Sequence, residues 1–133
     1  MNAAVMKFAP VVGRFLIALI FLLSGIGKIT GYASSAGYMA SKGLPMIDVL
    51  LVASIVIEIG GAAMLIFGWK ASLGALALFL WMIPVTLIFH NFWAVPPEQY
   101  QIQQIMFLKN LAIMGALLYV VTFGAGSYSL DRK

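Results

Sequence analysis

Four stretches of the chain are almost continuously apolar, and each is long enough to cross a lipid bilayer as a helix. They cover residues 8–29, 46–67, 71–93 and 105–123. A hydrocarbon core about 30 Å thick requires about 20 helical residues. The pattern therefore predicts an all-α integral membrane protein, in which residues 1–133 form a single four-helix transmembrane bundle.

The connections between the apolar stretches differ in length and character. Only Gly68–Lys70 separates the second stretch from the third, which predicts a tight antiparallel helical hairpin. Segment 32–45 is rich in Gly, Ser and Ala and has room for a short interfacial helix. Segment 94–104 contains two consecutive prolines followed by polar residues, and we expect a loop there.

Composition supports a membrane location and excludes several kinds of site. Of the 133 residues, 63% are hydrophobic and 9% are charged, which is more apolar surface than a soluble domain of this size can bury. The net charge of +4 is not concentrated in a run, which argues against nucleic-acid partners and suits contact with membrane lipids. With no cysteine and one histidine, the chain offers no disulfide, iron–sulfur or metal site of its own.

The distribution of basic residues predicts the orientation of the bundle. In the termini and the short hairpin connection, the basic residues are Lys7, Lys70, Arg132 and Lys133. The two longer connections hold only Lys42. Because cytoplasmic loops carry the excess of Lys and Arg, both termini are predicted to be cytoplasmic and the longer connections to lie outside.

Two ionisable side chains lie deep in the predicted spans. Counted from the predicted outer ends of their helices, Glu58 lies roughly 18 Å and Arg14 roughly 21 Å into the membrane. A buried charge at that depth needs a partner, so we expect Arg14 and Glu58 to form an ion pair between the first and second spans. The alternative is that Glu58 carries a proton or contacts a polar ligand.

A second polar group lies near the predicted outer ends of the helices, where residues four apart share a helix face. Its members are Ser24, Lys28, Thr86, His90, Lys109 and Asn110. The group contains two cations and an imidazole but no acid, so it favours a bound anion, a lipid phosphate or a quinone carbonyl. The alternative is that the lysines extend to the lipid head groups and that His90 caps the third span.

Several different short motifs occur along nearly the whole chain. They are Arg14 with Phe21–Lys28, Glu58–Gly61 with Leu65–Gly68, His90–Trp93, Phe107–Ala112 with Gly115, and Gly124, Gly126 and Ser129–Asp131. In these motifs the sequence resembles the DoxX family of small four-helix membrane proteins. The resemblance implies a multi-pass protein of the bacterial inner membrane, associated with redox systems such as quinol oxidase and thiosulfate:quinone oxidoreductase.

Three functional hypotheses follow from these observations. In the first, the protein is an accessory subunit of a membrane redox complex, whose outer polar group binds quinone or a sulfur-containing anion. In the second, it is a scaffold or assembly factor that binds a protein partner. We expect the chain to associate with a protein partner in a redox complex or with further copies of itself as a homo-oligomer. In the third, it is a small-molecule transporter, which would have to oligomerise because one four-helix bundle leaves little room for a pore. An enzyme acting alone is not expected, since the sequence lacks a nucleophile–base pair and a metal-ligand set.

Overall fold

Helices make up all the regular structure of residues 2–131, the part of the chain that the computed structural model describes. They are α1 Ala3–Thr30, α2 Tyr32–Ser41, α3 Ile47–Phe67, α4 Ala71–Phe89, a 3₁₀ turn Phe92–Ala94, and α5 Pro97–Phe123. Four of them, α1, α3, α4 (with the 3₁₀ turn) and α5, are long and apolar enough to cross a membrane. This confirms the predicted all-α transmembrane bundle. Arg132 and Lys133, which contributed to the predicted orientation, lie outside the described residues.

The helices pack as two antiparallel pairs. Helix α1 packs against α3 and helix α4 against α5, and the α3–α4 hairpin joins the pairs. Helices α1 and α5 contact each other only over a short stretch, while α2 packs on α1 and α3. We call the end of the bundle that carries α2 the α2 end. The opposite end, with the Gly68–Lys70 connection, is the turn end.

The apolar core lies towards the turn end, where the four long helices converge. Ala18, Leu65, Leu78 and Leu117 are fully buried there, one from each helix. Gly61 allows close approach of α3 to α4, because a Cβ at this position would lie 2.6 Å from Cγ of Leu78. Towards the α2 end the packing is less complete, which leaves space inside the bundle.

Helix α5 begins at Pro97, so the predicted loop over residues 94–104 is wrong for most of its length. Proline at the first helical position loses no hydrogen bond, and its fixed φ suits a helix. Glu98 in the first turn interacts favourably with the helix dipole. The 27 residues of α5 span about 40 Å, so its polar first turns extend beyond a hydrocarbon core of about 30 Å.

The segment that follows α5 folds back over the turn end. The backbone N–H of Asp131 donates to the carbonyl of Gly68 at 2.8 Å. Its carboxylate accepts hydrogen bonds from the backbone N–H groups of Lys70 and Ala71, at 2.5 and 2.9 Å. Asp131 thus satisfies donors at the start of α4 that have no partner within the helix.

Candidate functional site

Lys28 and Glu58 form an ion pair between α1 and α3. The ammonium nitrogen of Lys28 lies 2.9 and 2.6 Å from the two carboxylate oxygens of Glu58, and no other ion pair forms within residues 2–131. Lys28 also donates to Ser24 Oγ at 3.0 Å, and the hydroxyl of Ser54 donates to the Glu58 carboxylate. All three ammonium protons of Lys28 are therefore used. Glu58 is only 5% exposed, so the pair is nearly shielded on the carboxylate side.

Arg14 does not pair with Glu58, and the predicted ion pair between them is wrong. Its Nη1 donates to the carbonyl oxygens of Leu65 and Ile66, at 2.6 and 3.2 Å. Its Nη2 donates to the carbonyl of Tyr128 at 2.6 Å. The guanidinium thus satisfies carbonyls at the end of α3 and fastens the C-terminal segment to the turn end.

Side-chain direction explains why Glu58 pairs with Lys28 and not with Arg14. Long side chains tilt towards the N-terminus of their own helix, and α1 and α3 run in opposite directions. Lys28 therefore tilts towards the turn end and Glu58 towards the α2 end, so the two converge. Counted from the observed helix ends at Thr30 and Ile47, the Cα atoms of Arg14 and Glu58 differ in depth by roughly 8 Å, and their side chains diverge further.

A cavity of about 590 Å³ lies beside the ion pair, in the half of the bundle at the α2 end. Its polar lining residues are Ser24, Lys28, Ser34, Ser35, Ser54, Glu58, His90, Lys109 and Asn110. Its apolar and aromatic lining residues are Ile20, Phe21, Tyr38, Met39, Trp81, Met82, Val85, Phe89 and Ile113. A largely apolar cavity of this size with a few convergent polar groups is typical of small-molecule sites.

All but one of the six predicted binding residues line this cavity. The exception is Thr86, which is 2% exposed and contacts the lining residue Asn110 without lining the cavity itself. Its hydroxyl accepts a hydrogen bond from Asn110 Nδ2 at 3.1 Å. Thr86 therefore orients the Asn110 amide, which keeps a second N–H and its carbonyl oxygen for other partners.

His90 and Lys109 lie at the rim of the cavity. The Nδ1 atom of His90 is 2.9 Å from Oε1 of Gln103. In the tautomer with its proton on Nδ1, His90 donates this hydrogen bond to the amide oxygen and leaves Nε2 for another partner. The exposed ammonium of Lys109 lies 3.3 Å from Sδ of Met106 and pairs with no carboxylate of residues 2–131.

The charges of the cavity differ from the sequence-based expectation of a cluster without an acid. Glu58 supplies one negative charge and neutralises Lys28, so Lys109 leaves the lining with one net positive charge when His90 is neutral. No group of three or more His, Asp or Glu side chains comes together within the described part of the chain.

Sequence reasoning missed several cavity residues. Ser54 lies four residues before Glu58, so the helix period alone would have placed the two on one face. Trp81 carries a buried Nε1 that has no hydrogen-bond partner within residues 2–131. A buried indole N–H usually finds a partner. No periodic signal in the sequence points to Trp81, since it lies in a span that is apolar on all sides.

Helix α2 forms the wall of the cavity at the α2 end, and it contributes Ser34, Ser35, Tyr38 and Met39. Within α2, Tyr32 Oη donates to Asp48 Oδ1 at 2.6 Å, and Tyr38 stacks on Phe89 with ring centroids 5.3 Å apart. Lys42, which directly follows α2, donates from Nζ to Asn91 Oδ1 at 3.5 Å. The hydrogen bond to Asp48 raises the pKa of Tyr32 above its ordinary value, so Tyr32 remains a neutral donor at physiological pH.

Comparison with known proteins gives consistent matches. The DoxX family model matches residues 9–91, which include Lys28, Glu58 and His90. Inner membrane protein YqjF of Escherichia coli (strain K12) is 36% identical over 121 residues, covering 91% of this chain and 88% of that protein. Inner membrane protein YphA of the same organism is 30% identical over 122 residues, with 92% and 87% covered. The Surfeit locus protein 4 homolog of Schizosaccharomyces pombe is 34% identical over 80 residues, 59% of this chain and 26% of that protein. No solved structure matches the chain.

Proposed function

The chain belongs to the DoxX family of multi-pass inner-membrane proteins, and from this premise we propose that it is an accessory subunit of a membrane redox system that binds a quinone. The cavity is the observation that supports the proposal. In it, an ion pair of zero net charge, whose hydrogen bonds are all made, lies beside the partly unused amide of Asn110 and aromatic side chains. The family's association with quinol oxidases, implied by resemblance, is consistent with such a ligand.

The lining suits a planar head group with two carbonyl oxygens. Phe21, Tyr38, Trp81 and Phe89 supply aromatic surface for stacking. Quinone carbonyls need hydrogen-bond donors, and the second N–H of Asn110 is one candidate. The ion pair adds no net charge, so a neutral head group can lie against it without an uncompensated charge.

The rim residues suit the proton transfers that accompany quinone reduction. Reduction of a quinone to the hydroquinone takes up two electrons and two protons. The imidazole of His90 keeps one ring nitrogen for a partner other than Gln103, so it can accept a proton at the rim and pass it on. Since the chain has no cysteine and a single histidine, the electrons are assigned in this proposal to a partner subunit. In the predicted orientation, the cavity lies in the outer half of the membrane.

The quinone content of protein purified in mild detergent from its native membrane tests the proposal. We expect His90→Ala and Lys109→Ala to retain about five- to tenfold less quinone than the wild type, because each removes a polar group from the rim. Lys7→Ala removes a cation from the first turns of α1, at the turn end of the bundle, and is the charge-matched control for Lys109→Ala. Wild-type protein without quinone, or variants that retain as much as the control, would rule out this binding site.

A further inference from the structure

We propose that the ligand of this cavity carries a hydrocarbon chain, and that the chain leaves the cavity sideways between α1 and α5 into the lipid. This inference deepens the proposed function and rests on it. It concerns the route into the site and the class of ligand that can use that route, which the lining residues alone do not define.

The first observation is that one seam of the bundle is left open. Contacts between α1 and α3, α3 and α4, and α4 and α5 are extensive, whereas α1 and α5 meet only over a short stretch. Buried core residues of both helices, Ala18 of α1 with Leu117 and Val120 of α5, lie towards the turn end. Nearer the α2 end, both helices contribute residues to the lining of the cavity, so the cavity occupies the space between them there.

The second observation is that residues on both edges of this seam line the cavity and also reach the outer surface. Ile20 of α1 is 38% exposed, Lys109 of α5 is exposed, and Ile113 of α5 is partly exposed. A side chain that faces both the cavity and the surface lies at a mouth. Ile20 is roughly 15 Å from the end of α1 at Thr30, which places this part of the mouth in the hydrocarbon region.

The third observation is that α2 covers the cavity on the side nearest the water. Tyr38 and Met39 face the cavity, and Met39 is 8% exposed. The stacking of Tyr38 on Phe89 fixes α2 to the end of α4. A ligand that enters between α1 and α5 thus comes from the lipid and meets Ile20 and Ile113 before it reaches the polar lining.

These features select an amphiphile over a water-soluble ion. An ion would have to leave water and cross apolar surface at the mouth, which carries a large desolvation cost. An amphiphile already resides in the bilayer, and its chain can remain between Ile20 and Ile113 while its head group contacts Asn110 and Ser24. The exposed ammonium of Lys109 lies at the same mouth and attracts the polar end of the molecule.

The test compares a benzoquinone that carries a decyl chain with the same quinone without the chain. The protein is placed in phosphatidylcholine vesicles with Trp69 and Trp93 replaced by Phe, so that Trp81 of the cavity wall is the single tryptophan. Saturable quenching of Trp81 fluorescence measures binding. Ile20→Phe narrows the mouth, while Leu23→Phe makes the same kind of change at a 59% exposed position of α1 that does not line the cavity.

We expect Ile20→Phe to weaken binding of the decyl quinone by about tenfold relative to Leu23→Phe, as overpacking of an apolar passage does. The chainless quinone should change by less than about twofold, since its head group lies against Asn110 and Ser24 and does not extend between Ile20 and Ile113. Ile113→Phe repeats the test from the α5 edge, should Ile20→Phe fail to fold. Comparison within one lipid composition cancels the partitioning of the decyl quinone into the bilayer.

Two results would overturn the inference in different ways. If Ile20→Phe and Ile113→Phe leave decyl-quinone binding unchanged, or weaken both quinones equally, the chain does not pass between α1 and α5, but the proposed function stands. If neither quinone produces saturable quenching of Trp81, both the inference and quinone binding fail.

Discussion

At the scale of the residue, the Lys28–Glu58 pair is the polar centre of the molecule. Each carboxylate oxygen contacts the ammonium, and Ser24 and Ser54 complete the hydrogen bonds. An ion pair of this kind compensates two charges that would each be costly alone in a bilayer. The pair therefore holds α1 to α3 and also provides the cavity with a polar wall of zero net charge.

We predict that Lys28→Met or Glu58→Gln alone lowers the free energy of unfolding by about 3–5 kcal/mol, because each change disrupts the pairing of a nearly buried group. The double variant should cost less than the sum of the single changes by about 1–3 kcal/mol. Unfolding by a denaturing detergent, followed by circular dichroism, measures these differences.

The cross combination Arg14→Met with Glu58→Gln is the matched control for this cycle. Arg14 bonds to carbonyl oxygens of Leu65, Ile66 and Tyr128 and shares no partner with Glu58, so these two changes should be additive. Coupling between Arg14 and Glu58, with none between Lys28 and Glu58, would contradict the pairing described above.

The sequence could show that Glu58 needs a partner in the membrane, but it could not identify the partner. The choice depends on the tilt of side chains along antiparallel helices, which Cα depth does not include. Ser24, Lys28, His90, Lys109 and Asn110 were predicted to lie together, and they line one cavity. The contribution of Trp81 could not be predicted, because it depends on how α4 rotates against its neighbours.

At the scale of the element, the helix ends determine the architecture, and some of them carry ambiguous sequence signals. Two consecutive prolines predict a loop, yet Pro97 starts α5, since proline both interrupts a helix and favours its first position. The four apolar spans were predictable because their hydrophobic runs are long. Asp131 shows the opposite case: its contact with the start of α4 is long-range, so no local pattern indicates it.

We predict that Asp131→Ala lowers the free energy of unfolding by about 1 kcal/mol, the typical effect of losing a side chain that accepts hydrogen bonds at a helix N-terminus. Asp131→Asn keeps one oxygen acceptor and should have a smaller effect, so it serves as the control. The same detergent-unfolding assay measures both variants. Equal stability of Asp131→Ala and the wild type would show that this contact does not stabilise the turn end.

At the scale of the whole molecule, the bundle has two dissimilar halves. The turn end is closely packed around small and apolar residues such as Ala18 and Leu78, and Arg14 and Asp131 fasten the C-terminal segment to it. The α2 end contains the cavity and the ion pair, and α1 and α5 make few contacts with each other. A closely packed half thus supports a half that contains a cavity, and largely apolar cavities with a few polar groups are typical of small-molecule sites.

Native mass spectrometry of the intact protein, released gently from its own membrane, tests this account most directly. We predict a species with the mass of one protein chain plus one quinone, and a marked loss of this species in Asn110→Ala but not in Leu111→Ala, whose side chain is exposed to lipid. Protein that carries no small molecule, or only phospholipid in equal amounts in both variants, would contradict the proposed quinone site.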